Sequence, residues 1–413
     1  MKKVINDSQL RKEVRHAVCQ YVEYFVNEFQ LGQIKKETYD DVLFFCAEIL
    51  KESVLEVYQE DIKSIIMKIL NDLKEDIYKG NTEELFYMGS HKGIGNIAFS
   101  LRILNEKGIK LTQFQKYFDD LIAEYYDSNI SLYYEKQTAP ILYDTIYGLS
   151  GLLNYYLDNR KDRKCTIEGL MKYLIFLTGK NESGIINYFI MEFPPYVINE
   201  SENMPYLDFG MAHGILGPLI VMSKAKNQGF YTDGIDEAIQ ILLNLYKEYT
   251  VQVENKILKF PVQLGMKEYE EKTAKRLSFN CGWCYGNGSI ALGLMRTAQY
   301  CGSSDEYEYY KEALLKILSA PIEQQGLDEP IICHGYASVL MLQMSAYFQT
   351  NDIHFLETLD KNVYVTLKCH ENYWEKMEYR TEYSMLEGAN GVMLALLKTM
   401  GGKIVSNRLL LLE

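Results

Sequence analysis

Apolar positions along this chain collect into long, nearly unbroken runs, and a short glycine-containing turn precedes each one. The runs begin at Gly93 (GIGNIAFSLRIL), Gly148 (GLSGLLNYYL), Gly214 (GILGPLIVM), Gly286 (GNGSIALGLM), Gly335 (GYASVLMLQM) and Gly388 (GANGVMLALL). From one glycine to the next the intervals are 55, 66, 72, 49 and 53 residues, enough for two helices and their connections. The runs lack the alternation of a half-buried strand and show little polar face, so they predict helices buried on all sides. Between them lie amphipathic segments with charged faces, such as Asp236 to Tyr249 and Glu306 to Leu318. Alternating buried and half-buried helices predict an inner ring within an outer ring, an α/α toroid, rather than an open helical array. The N-terminal segments Leu10–Phe29, Tyr39–Leu50 and Val57–Ile77 carry helical patterning and supply one further pair.

Two intervals are longer than the repeat needs. Residues 181–209 hold tandem prolines, aromatic and β-branched residues and loop formers, and residues 250–280 include ILKFPVQLG. Both read as insertions at the rim of a single domain spanning 1–413, with short strands or long loops. Such rims commonly carry substrate contacts.

If each inner helix starts just after its glycine, the six turns share one end of the toroid. The residues before those glycines, Lys92, Tyr147, His213, Tyr285, His334 and Glu387, then converge on one mouth, with Asp144, Cys284 and Cys333 close behind. Cys333 and His334 are adjacent, and on a regular helix their side chains diverge by roughly 100°. Both reach one metal only from a turn, which Gly335 supplies. Cys284 holds the matching place one repeat earlier, in GWCYG. Two thiolates and an imidazole make a three-ligand zinc site with a fourth position open, as in catalytic zinc. Helix N-termini favour the thiolate form of both cysteines. Cys281 forms a CxxC with Cys284 and is the competing ligand; a Cys3His site would be closed and structural. Cys369-His370 has no glycine turn and belongs on an outer helix, and His16, His91 and His354 read as surface or structural histidines. His213, in MAHGILGPL with Pro218 in the first helical turn, is placed to move protons near neutral pH. Asp144, in YDTIYGLSG, either orients that imidazole or caps a helix.

Composition narrows the class. Of 413 residues 47% are apolar, so a large core is available. A net charge of −13 disfavours nucleic acid and suits a basic peptide. No apolar run is long enough to span a bilayer, and MKKVINDSQLRKEVRH has no apolar stretch behind its charges, so a cytoplasmic protein is expected. The eight cysteines are too scattered for a disulfide framework.

The ordered set DTIYGLSG, AHGILGPL, GWCYG, CHG and LEGANGVMLAL resembles the LanC family of lanthionine synthetase cyclases, over essentially the whole chain. The length is similar to that of the stand-alone cyclases of class I lantibiotic systems. The resemblance implies a toroid with inner and outer rings of seven helices each. It implies one zinc ion on Cys284, Cys333 and His334, with His213 as acid/base, Asp144 assisting and Tyr285 lining the site. The implied reaction adds a peptide cysteine to dehydroalanine or dehydrobutyrine and then protonates the α-carbon of the enolate, leaving a thioether ring. The implied partners are a dehydrated precursor peptide with its leader segment, a dehydratase and a peptide transporter, which would place the protein at the inner face of the cell membrane.

Two positions depart from the family pattern. The arginine usually found three residues before the tryptophan of WCYG is Asn280 here, with Arg276 four residues earlier. Either Arg276 reaches in, or enolate stabilisation relies on zinc, Asn280 and His213. The turn after WCYG reads NGS rather than the usual Pro-Gly. A LanC-like protein that adds glutathione to dehydrated residues, or only binds peptides, is the second reading, and Asn280 favours it. A third, an α/α-barrel glycoside hydrolase using Asp144 and Glu387, leaves the cysteines without a role.

Overall fold

The computed structural model describes residues 4–80, 89–191, 205–253 and 257–413. In chain order the first helices are α1 (Ser8–Gln30), α2 (Tyr39–Ile49), α3 (Gln59–Lys79), α4 (Ile94–Glu106) and α5 (Thr112–Tyr133). The short α6 (Pro140–Tyr143) precedes α7 (Leu149–Asn159), α8 (Lys164–Thr178), α9 (Leu216–Asn227) and α10 (Ile235–Tyr249). The short α11 (Met266–Glu271) is followed by α12 (Asn287–Cys301), α13 (Ser304–Leu318), α14 (Tyr336–Thr350) and α15 (Leu359–Tyr373). The short α16 (Met377–Thr381), then α17 (Ala389–Thr399) and the short α18 (Ser406–Leu409), complete the order.

Burial alternates along this order as the patterning predicts. In α12 every side chain from Asn287 to Ala298 is buried, and α2, α4, α7, α9, α14 and α17 are buried along most of their length. Their neighbours in sequence bury one stripe. In α13 it is Tyr310, Ala313, Leu314, Ile317 and Leu318, the three-and-four spacing of one helix face. Asp305 and Glu306 open that helix and Lys316 lies in its last turn, matching the helix dipole. Gly302, with φ of 71°, ends α12 in the left-handed region.

The chain forms two compact units. One holds residues 1–119 and 321–411, where α2 packs on α4, α14 on α17, and α1 on α17. In it the two ends of the chain meet. The Asp360 carboxylate accepts the N–H groups of Asn6 and Asp7, the latter at 2.8 Å, and Tyr21 donates to Asn390 Oδ1 at 2.8 Å. The second unit, residues 120–320, packs α7 and α12 on α9, and α13 on α12.

Both insertions contribute strands within the second unit. β1 (Tyr206–Asp208) pairs antiparallel with β4 (Gln263–Gly265), setting Asp208 opposite Gln263. β2 (Val251–Gln252) pairs with β3 (Leu258–Lys259). The sequence did not point to α11, whose first turn is closed by Glu268: its carboxylate accepts from Gly265 N at 2.9 Å and Lys275 N at 2.7 Å. The tandem prolines of residues 194–195 lie outside the described residues.

The inner helices begin where the glycines predict, and the reason is space more than conformation. Gly93 has φ of 68°, a region L side chains avoid. Gly388 has an ordinary φ of −101°, but a Cβ there would stand 2.0 Å from Glu382 O. The turn folds back against the first helical residue, and only hydrogen fits. Gly388→Ala is therefore expected to destabilise by roughly 2 kcal/mol through overpacking. Gly169, inside α8 with nothing within 4 Å of a Cβ, is the control. Gly169→Ala should stabilise by about 0.5–1 kcal/mol, and denaturant midpoints of both variants check the opposite signs.

Candidate metal and acid–base site

The glycine turns of the second unit are joined backbone to backbone. Thr145 N donates to Ala212 O at 3.1 Å, tying the DTIYG turn to the turn that carries His213. Met211 N and Ala212 N donate to Cys284 O at 2.8 and 3.3 Å, tying that turn in its place to GWCYG. Trp283 beside the cysteine is fully buried and anchors the last of the three. In the first unit, Cys333 N donates to Leu386 O at 2.9 Å, joining the CHG turn to the LEG turn.

Asp144 serves both uses considered for it. Its Oδ1 accepts from the N–H groups of Tyr147 and Gly148, each at 2.7 Å, and so closes the turn before α7. Its Oδ2 lies 2.7 Å from Nδ1 of His213. The carboxylate is fully buried, and backbone donors fix it before the histidine arrives. Burial alone would push the His213 pKa down, but the Asp144 hydrogen bond and charge, helped by Asp208 and Cys284, hold it above the ordinary value. The Tyr147 ring stacks near the imidazole, 6.5 Å between centroids and tilted by 15°.

Cys284, Cys333 and His334 offer ligand atoms that all lie within 4.8 Å of one another. Around a tetrahedral zinc, with bonds of about 2.0–2.3 Å, donor atoms stand roughly 3.5 Å apart, so small side-chain adjustments suffice. Two soft thiols and an imidazole are a donor set that zinc takes readily. Cys333 and His334 precede α14, off the helix, which lets adjacent side chains converge. Cys281 is not part of this group; it is buried, and burial pushes its thiol up to about 12. Glu329 Oε2 lies 3.2 Å from His334 Nε2, a carboxylate in place to orient the imidazole.

Sequence patterning missed Glu329, and it missed Asp208, a buried carboxylate at the end of β1 that accepts from the Tyr285 hydroxyl at 3.1 Å. In sequence neither immediately precedes one of the six repeat glycines. Lys92 is tied to Asp41 at 3.1 Å and Asp40 at 3.6 Å, and Glu387 is exposed, so neither joins the cluster. Arg276 does not enter directly: its Nη1 donates to Gln263 Oε1 at 2.9 Å. His370 pairs with Tyr379 at 2.7 Å on α15, in keeping with a structural role, and His354 is exposed beside Asp352.

The family model for lanthionine synthetase C-like protein matches residues 42–411. Nisin biosynthesis protein NisC of Lactococcus lactis subsp. lactis is 24% identical over 348 residues, covering 82% of this chain and 81% of that one. The solved structure of nisin cyclase is similar at a TM-score of 0.79 and 20% identity, covering 98% of each chain. That likeness shows the fold, the all-α LanC-type toroid with a few short strands.

The Asp144–His213 pair generates a test by titration. In chelator-treated protein, the His213 ring should titrate above the usual 6.5, because the paired carboxylate outweighs burial. Asp144→Asn removes the charge and leaves the burial, so the pKa should fall below that of the parent protein. Histidine ring NMR across pH, with His213→Asn for assignment, measures both.

Proposed function

The chain belongs to the lanthionine synthetase C-like family, and from that premise we propose that it is a zinc-dependent peptide cyclase of lantibiotic biosynthesis. Its substrate is a dehydrated precursor peptide, whose cysteine thiols add to dehydroalanine or dehydrobutyrine to give lanthionine and methyllanthionine rings. One observation carries the reading. Cys284 belongs to the three-donor group, while its carbonyl holds the backbone of Met211 and Ala212, next to His213. A group suited to a metal-held thiol and a group suited to moving a proton are thus built into one turn pair. The names of the similar proteins, nisin biosynthesis protein and nisin cyclase, agree with that chemistry.

Cys284, Cys333 and His334 would hold the zinc. Bound there, it supplies a charge that lowers the pKa of an incoming thiol, while two protein thiolates keep the sulfur nucleophilic. Glu329 fixes the orientation of His334 through Nε2. His213 has Nδ1 committed to Asp144, so Nε2 is its nitrogen for proton exchange. The reaction balances without an oxidant: the S–H proton leaves, the C–S bond forms as the C=C π bond opens, and a proton returns to the α-carbon. Asp144, fully buried, keeps the imidazole from rotating away between these two transfers and stabilises its charged form. Tyr285, the residue after Cys284, lines the site with its hydroxyl held by Asp208.

A precursor leader, a dehydratase and a transporter are the expected partners, and the net charge of −13 suits a basic peptide. Among the described residues no helix is long and apolar enough to cross a membrane, so a place at the membrane's inner face would come through those partners.

Purified protein incubated with the dehydrated precursor should consume free peptide thiols without change of mass. Thiols left unreacted with the cognate peptide would sink the reading, and glutathione adducts formed instead would establish the second one. Cys284→Ala and His334→Ala should lose zinc and cyclisation together. His213→Asn should keep stoichiometric zinc and slow the reaction by about 10²–10⁴-fold. Glu329→Gln should keep the fold and weaken zinc binding by about 10-fold, read by competition with a chelator.

A further inference from the structure

Asp208 is a buried carboxylate that none of the sequence motifs contains. It is 1% exposed, a costly place for a charge unless donors surround it. Its Oδ1 accepts from Gly210 N at 2.8 Å, and its Oδ2 from the Tyr285 hydroxyl at 3.1 Å and Gln263 Nε2 at 3.3 Å. Its backbone carbonyl accepts from Ile215 N at 3.0 Å. Asp208 therefore holds both ends of the segment 210–215, with His213 inside it.

Two glycines make room for this arrangement. A Cβ on Gly210 would stand 2.5 Å from Cδ1 and Cε1 of the Tyr285 ring. A Cβ on Gly214 would stand 2.6 Å from Asp208 Oδ1. The backbone has been kept bare where the tyrosine ring and the carboxylate come closest. Burial pushes the Asp208 carboxyl up, while the Gly210 N–H, the His213 charge, Gln263 and Tyr285 favour its ionised form. Opposite Asp208 on β4, Gln263 donates with its Nε2 and accepts Arg276 Nη1 with its Oε1 at 2.9 Å. The insertion strands thus brace the carboxylate from outside the turn.

We propose that Asp208 is a positioning residue for the cyclisation: through Tyr285 and the 210–215 segment it sets the proton-transfer groups beside Cys284 as one rigid piece. This rests on the cyclase reading. A carboxylate that merely stabilised the fold would lower the thermal midpoint without a selective loss of kcat.

The test uses the full chain, loaded with zinc, and a dehydrated precursor peptide carrying cysteine and dehydroalanine. Asp208→Asn, Tyr285→Phe and the double variant are compared for kcat, KM, zinc content and thermal midpoint. Asp208→Asn should lower kcat by ~10-fold or more, with KM within ~2-fold and zinc unchanged. The double variant should be no slower than the slower single variant, within ~3-fold. A wild-type kcat in Asp208→Asn, or two losses that multiply in full, overturns the proposal. 3-Fluorotyrosine placed at position 285 gives a readout that does not depend on turnover. Its ¹⁹F resonance should shift in Asp208→Asn, and an unmoved resonance overturns the proposal even if the wild-type protein closes no ring. Should Asp208→Asn fail to fold, Gln263→Leu leaves the backbone anchors in place. It should shift the same resonance and lower kcat in the same direction, and no change in either counts against Asp208.

Discussion

The carbonyl of Cys284 accepts hydrogen bonds from Met211 and Ala212, and the arrangement of the site follows from this contact between two turns. Backbone hydrogen bonds set distance and direction together, and leave side chains uncommitted. The turn that presents a thiol and the turn that presents an imidazole are therefore fixed by groups every residue possesses. Thr145 extends the same linkage to the turn of Asp144 through its N–H and, by its hydroxyl at 2.7 Å, to Met211 O. Such close approach demands turns without side-chain bulk at the contact. At Gly210 a Cβ would stand 2.7 Å from Cys284 O, so a bare backbone at this contact lets the two turns meet.

Within this frame, buried carboxylates do the orienting. Asp144 and Asp208 are each held by backbone N–H groups on one oxygen and offer the other to a functional side chain, His213 or Tyr285. Anchoring by backbone satisfies part of the desolvation cost before the partner is engaged. The second oxygen then has a defined direction, which a surface carboxylate on a mobile side chain lacks. In the first unit Asp40 plays a comparable part, accepting from Gly93 N at 2.6 Å in the turn before α4. There the outward partner is Lys92, so the same construction yields an ion pair instead of an acid–base pair.

The helices and their starts were legible because burial leaves a periodic record. A run with no polar face must be enclosed, and a glycine before it marks where its turn doubles back. The clustering of Cys284, Cys333 and His334 was legible for a related reason: Cys284 and Cys333-His334 sit at equivalent places in successive repeats, so a repeat that aligns helices aligns them too. Asp208 and Glu329 left no such record. Asp208 ends a three-residue strand, and its partner Gln263 lies 55 positions away, opposite it only through a strand register that YLD and QLG do not disclose. Glu329 is five residues before His334 in a stretch without repeating pattern, and its role depends on how that loop closes. Lys92 stood in the right place by the repeat but was drawn away by the two acidic residues of α2, a contact across 51 positions.

Position 280 shows how the same distinction bears on mechanism. The resemblance to the cyclases places an arginine there, and this chain has Asn280, whose Oδ1 accepts from Gly282 N at 3.0 Å. That is a turn formed by a short side chain carrying an acceptor. A guanidinium has five donors and no acceptor, so an arginine could not close the turn in the same way. Asn280 is thus part of the backbone construction of GWCYG, three residues from the buried Trp283 and next to Cys281. Its own carbonyl accepts from Asn287 N at 3.0 Å, the first residue of α12, so it secures both the entry to the turn and the start of the helix. On the proposed cyclase reading, positive charge near the reacting carbon would come from elsewhere in the chain. His213 carries it when protonated, and Asp144 favours that form. Arg276 remains one residue removed, behind Gln263. Its effect would pass through Gln263 to the carboxylate that holds Tyr285, across the strand pair β1–β4.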